Sequence, residues 1–276
     1  MKFLLALFFL LVCTFSLQAQ KRVTTGGANN GVVVDRKTVP GKVKKMSVLF
    51  VGDLYSEYNS LPQIVAYQAA QLKKPVELNI AHLTAPKFSF EHQLTNPSIK
   101  ETLKNKKWDY VVFQNLANKP LDNPEKTAKN GAALAKLVRD HGAKPLFFMT
   151  WADNGSPEDL KTIFNVYKSL ALDNRALMAP VGTAWSTSMK NYPTIKLYLK
   201  DSSYPSPHGT YLSALMLTMA LTKQSVMGQK NSGFKSVTLP EAKALQKVAY
   251  KTSLNYWKYI KKQAAAQKAA KKVPIK

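Results

Sequence analysis

Met46-Ser47-Val48-Leu49-Phe50-Val51-Gly52-Asp53-Leu54-Tyr55 changes character at Gly52. Before it stands a short apolar run rich in Val and Leu, the composition of a strand buried on both faces. After it come a glycine and a capping aspartate, the signals of a tight turn. The same unit recurs along the chain. Val76 to His82, Tyr110 to Phe113, Pro145 to Thr150 and Leu177 to Val181 read as further strands. Between them, helical spacing covers Leu61 to Lys73, Pro97 to Asn105, Pro124 to His141, and a segment from a Ser156 cap to Leu172. Pro207 to Leu221 reads as a strongly apolar helix, Gln224 to Ser236 as a polar connector, and Leu239 to about Lys272 as a last helix. Strands that alternate with helices and are apolar throughout predict an α/β fold, a three-layer arrangement with a mostly parallel sheet of about five strands. In such sheets ligands bind beyond the carboxyl ends of the strands. The informative positions are therefore Gly52-Asp53-Leu54, His82 to Phe90, Gln114-Asn115, Trp151 and the turn before Pro207.

The ends of the chain speak to location. Met1-Lys2, the apolar run Phe3 to Val12 and the small Ala19 predict a signal peptide over 1–19, with export to the periplasm or outside. A permanent membrane anchor is the alternative, and the shortness of the run argues against it. A lipid attached at Cys13 fits less well, because bulky Val12 precedes it. Cys13 is the one cysteine, so the mature chain has no disulfide, thiol nucleophile or thiolate metal site. Residues 20–45 read as a leader loop, 46–223 as the main domain, and 224–276 as connector and Lys/Ala-rich helix. Forty Lys+Arg against sixteen Asp+Glu give a net charge of +24. From Thr252 to Lys276 there are seven lysines and no acid. Such a chain adsorbs to anionic surfaces, and the tail is a candidate contact for an anionic cell-surface polymer. A solvated lysine face is the plainer reading. Export argues against nucleic acid as a partner.

Two blocks carry a family resemblance. Val48 to Pro62, with Gly52-Asp53-Leu54-Tyr55 and Tyr58-Asn59-Ser60-Leu61-Pro62, resembles the first block of the SGNH/GDSL-type hydrolases. Asp201-Ser202-Ser203-Tyr204-Pro205-Ser206-Pro207-His208-Gly209 resembles the last block. Trp108 to Asn115 and Phe147 to Trp151 resemble the strands between, more weakly. The resemblance implies a flavodoxin-like fold and carboxylic-ester hydrolysis. In that family a serine after the first strand attacks, a histidine of the last block takes its proton, and an aspartate three residues earlier orients the histidine.

This sequence departs from that pattern at the positions that matter. Leu54 stands at the serine position and Tyr204 at the histidine position. A leucine has no nucleophilic atom, and a phenol is a poor base at neutral pH. Ala85-Pro86-Lys87 offers no oxyanion glycine, and Asp201 is left without its partner. The expectation is a non-hydrolysing homologue that holds a carbohydrate or acylated glycan, with Asp53, Leu54, Gln114, Asn115, Trp151 and Tyr204 around the ligand. Leu54 filling the serine's space, Tyr204 acting as an aromatic plug and Trp151 packing in the core are the structural alternatives. The competing expectation is a weak esterase with a relocated Ser56, His208 and Asp201 site, which a two-residue shift disfavours. His82, His92 and His141 have no metal-ligand spacing, so neither metal nor cofactor is expected.

Overall fold

The structure, a computed structural model, describes residues 43–116, 119–153, 156–200 and 203–270. The expected signal peptide, most of the leader, Asp201 and the last residues of the tail lie outside the described residues.

Five strands form one sheet: β1 (Lys44–Gly52), β2 (Val76–Thr84), β3 (Tyr110–Phe113), β4 (Lys144–Met149) and β5 (Leu177–Pro180). Their spatial order is β2-β1-β3-β4-β5, and every pairing is parallel. The helices are α1 (Leu61–Ala70), α2 (Phe90–Thr95), α3 (Pro97–Asn105), α4 (Lys119–Asp122), α5 (Pro124–Asp140), α6 (Leu160–Asp173), α7 (Val181–Asn191), α8 (Pro207–Thr222) and α9 (Leu239–Ala270).

The apolar runs divide by alternation, as a pleated strand requires. Val48 and Phe50 join Val112, Leu146, Phe148 and Ala179 in one core. Leu49 and Val51 join Val111, Phe113, Phe147 and Met178 in the other. The first core is closed by α1, α8 and α9, the second by α5 and α6. The all-round apolar character of α8 follows from its position: it packs on α1, α7, α9 and β5, so no side faces water.

Several expected boundaries move. β1 starts at Lys44, because Lys45 pairs with Glu77 of β2 across 3.1 Å and extends the ladder. Ser156 does not cap α6; it precedes a short 3₁₀ turn over Pro157–Asp159 and makes no capping hydrogen bond. The connector after α8 has no regular element but is fixed by buried amides. Gln68 donates to the Ser232 carbonyl, Gln229 to the Gln68 carbonyl, and Gln246 to the Gln229 carbonyl and the Tyr211 hydroxyl. Three helices, α2, α4 and α7, went unforeseen. In α7 the sequence Val181-Gly182-Thr183 argues locally against a helix. Tertiary packing overrides it: a Cβ on Gly182 would lie 2.2 Å from the Thr150 carbonyl oxygen.

Candidate functional site at the carboxyl ends of the strands

The chain leaves β1 at Gly52 and enters a 3₁₀ turn over Leu54–Ser56. Asp53 caps it, its Oδ1 accepting from the Tyr55 N–H at 2.9 Å. The Asp53 N–H donates to Gln114 Oε1 at 2.8 Å, which ties the end of β1 to the end of β3. Gly52 is required there, since a Cβ would meet Ser56 Oγ at 2.3 Å and Gln114 Oε1 at 2.6 Å. Gln114 donates its amide N–H to the Asn115 carbonyl. Asn115 Oδ1 in turn accepts from the Phe90 N–H at 2.8 Å and starts α2. These three polar side chains are 5%, 1% and 1% exposed for Asp53, Gln114 and Asn115. They tie the loops together at the strand ends and are largely covered by them.

Beneath the mouth lies a continuous aromatic layer. Trp151 stacks on Trp185 with centroids 3.7 Å apart and planes at 6°. Tyr55 covers Trp151 at 5.2 Å, and Tyr198 meets Trp185 edge-on at 5.0 Å. Trp151 Nε1 donates to the Ser203 carbonyl, and Trp185 Nε1 to Ser213 Oγ. Trp151 is 3% exposed and forms the floor of this layer. Above it, half-buried Tyr204 packs edge-on against Tyr55 at 5.2 Å and tilts over Tyr58 at 5.0 Å. Tyr204 is thus part plug and part wall.

Leu54 does not fill a vacated serine space. It is 38% exposed, among the few large apolar side chains turned to solvent. The position to which the resemblance assigns the nucleophile is therefore open and carries a hydrocarbon.

Ser56, two residues on from Leu54, is 1% exposed and donates to the Asp53 carbonyl at 2.8 Å. His208 lies against α9. Its Nε2 lies 3.1 Å from Glu241 Oε2 at the start of α9. Thr238 donates to the same carboxylate from its hydroxyl and its N–H. These Thr238 bonds, with His208, hold the Glu241 carboxyl down to about 2. Ser56 Oγ and His208 Nε2 thus lie against different groups, and Asp201 lies outside the described residues.

Sequence reasoning missed Asn59. Its Nδ2 donates to the Pro205 carbonyl at 3.0 Å and to Thr210 Oγ1 at 2.9 Å, clamping the first block to the last. Asn59 and Ser60 both adopt left-handed φ, at 51° and 55°. Each costs roughly 1–2 kcal/mol for a residue with a Cβ, and the clamp holds them there. Lys87 repeats the conformation at φ 58°, in the turn where no glycine was found.

Burial raises the Asp53 carboxyl from its ordinary value, opposed by hydrogen bonds from the Tyr55 N–H and Gln114. A folded-state pKa above the unfolded one means that the folded state holds the proton more tightly. Stability then falls as pH rises from about 4 through the folded-state value, and below about 4 both states are neutral. Asp53→Asn keeps an acceptor for Tyr55 and removes the charge. In urea titrations the variant is expected to exceed the wild type near pH 7 and to converge with it near pH 3. A gap that widens toward low pH would contradict this.

A five-stranded parallel sheet in the order β2-β1-β3-β4-β5, with a loop cluster clamped at its carboxyl ends, defines the chain as an α/β protein of the SGNH-hydrolase fold. Solved structures agree. A DUF4886 family protein from Bacteroides uniformis superposes with TM-score 0.63 at 18% identity, over 76% of this chain and 95% of that one. A protein from Slackia heliotrinireducens placed among the SGNH hydrolases gives 0.53 at 23% identity, over 64% and 100%. An acetyl xylan esterase gives 0.52 at 17% identity, over 64% and 100%. At these identities the likeness is one of fold. No protein-family model and no curated protein matches the chain.

Proposed function

We propose that this chain is an exported SGNH-fold protein that holds a carbohydrate or acylated glycan at the strand-end mouth without hydrolysing it. The observation that carries the reading is the pairing of an exposed Leu54 with a buried, committed Ser56. Loss of either the nucleophile or the base from a serine hydrolase site removes most of its rate. The surface that remains, Leu54 with the half-buried rings of Tyr58 and Tyr204, suits the apolar face of a sugar ring. The acetyl xylan esterase of the same fold supports an acylated glycan as the ligand class. Export follows from the Met1 to Ala19 reading. The test is a binding screen of acetylated and deacetylated oligosaccharides against the wild type and Tyr204→Ala. With uncharged oligosaccharides, binding that Tyr204→Ala weakens supports the reading; no binding, or binding indifferent to the substitution, overturns it.

A further inference from the structure

A second binding surface lies away from the strand-end mouth. The outward face of α9 carries Lys243, Lys247, Lys251, Lys258, Lys261 and Lys262, all exposed. At 3.6 residues per turn these six fall within an arc of about 100° and span roughly 28 Å of helix. Among the described residues none of the six is in an ion pair. The one acid of α9, Glu241, is engaged by Thr238 and His208. Neighbouring positive charges this close repel one another and attract a chain of anions.

This stripe borders a cleft of about 360 Å³ between α6, α7 and α9, near the lower end of the range for small-ligand sites. Phe164 and Tyr259 stand on its wall with centroids 6.4 Å apart. Thr183, Thr187 and Asn255 supply neutral hydroxyl and amide groups, and Lys251 belongs to both cleft and stripe. Tyr259 is 36% exposed, so part of its ring is open to a ligand. Lysines alone would suit any polyanion. Aromatic rings beside hydroxyls and an amide suit a sugar, whose C–H face packs on a ring while its hydroxyls hydrogen-bond at the edge.

We propose that the cleft and stripe together bind an acidic polysaccharide. One uronate-type unit sits in the cleft with its carboxylate at Lys251, and the flanking units run along the α9 lysines. The proposal does not rest on the strand-end reading, because the two surfaces share no residue.

The test uses the full chain and polygalacturonate, with poly-L-glutamate and duplex DNA as other polyanions. The triple variant K247A/K251A/K258A is compared with K100A/K104A/K107A, which removes the same charge from exposed α3-side positions. The expected result is polygalacturonate affinity about tenfold or more weaker for the α9 triple near 0.15 M salt, and within about twofold of wild type for the control. Tyr259→Ala is expected to weaken polygalacturonate binding about threefold or more, with poly-L-glutamate unaffected. Equal losses in both triples would show adsorption by net charge and overturn the proposal. So would indifference of polygalacturonate to Tyr259→Ala, or tighter binding of poly-L-glutamate or DNA. Circular dichroism of each variant separates a binding loss from unfolding. Tyr204→Ala should leave polygalacturonate binding intact, so failure at the mouth and failure here are distinguishable.

Discussion

Trp185→Ala is expected to lower unfolding free energy by about 3–5 kcal/mol, the range for a buried large aromatic. Trp185 is 0% exposed and is held on every side: Trp151 on its face, Tyr198 at its edge, Ser213 at its Nε1 and Gly209 against its ring. Truncation opens a cavity under the mouth and removes the lower support of Trp151. In a domain of this size the melting temperature should fall by on the order of 10 °C. Trp185→Phe keeps a ring to stack and loses the Ser213 bond, so its cost should be clearly smaller. A loss below about 1 kcal/mol for the alanine variant would mean that the aromatic layer is not a continuous floor.

Gly182→Ala is the second large effect. The added Cβ would lie 2.2 Å from the Thr150 carbonyl oxygen and 3.0 Å from its carbon, both backbone atoms of the segment that follows β4. A side chain can rotate away from such a clash; this carbonyl cannot without parting α7 from the strand ends. Overpacking of this kind costs about 1–3 kcal/mol and sometimes more. Gly142→Ala is the matched comparison: its φ of 77° is strained for alanine, but nothing lies within 4 Å of the new Cβ. Chemical denaturation of both variants should show the larger loss at Gly182. The reverse order would place the start of α7 farther from β4 than described.

What was legible in the sequence follows from how local the controlling physics is. The β1, β3 and β4 runs are apolar on both faces because helices cover both, and that composition reads directly as a parallel sheet. The length and apolarity of α8 announced a buried helix in the same way. α7 was invisible because its first turn is stabilised by a close approach to Thr150, a contact with no local signature. At the site, Leu54 and Tyr204 were identifiable from motif positions alone. Their environments were not, and neither was that of Trp151, whose burial depends on stacking against Trp185 in the unforeseen helix. Gln114 and Asn115 looked available because sequence cannot show that their side-chain oxygens already accept from the Asp53 and Phe90 N–H groups, or that the Gln114 amide N–H already donates to the Asn115 carbonyl. The α6, α7 and α9 cleft was equally hidden, since its residues come from three separate segments.

The proposed function keeps the fold and gives up hydrolysis. Hydrolysis of a chromogenic acetyl ester by the purified protein, beside Ser56→Ala and His208→Ala, tests it most directly. The expected rates are no higher than the buffer and protein-surface background and the same in all three proteins, because Leu54 has no nucleophilic atom and the Ser56 hydroxyl donates to the Asp53 carbonyl. Turnover well above that background, abolished by both substitutions, would contradict it and establish a working site built from Ser56 and His208.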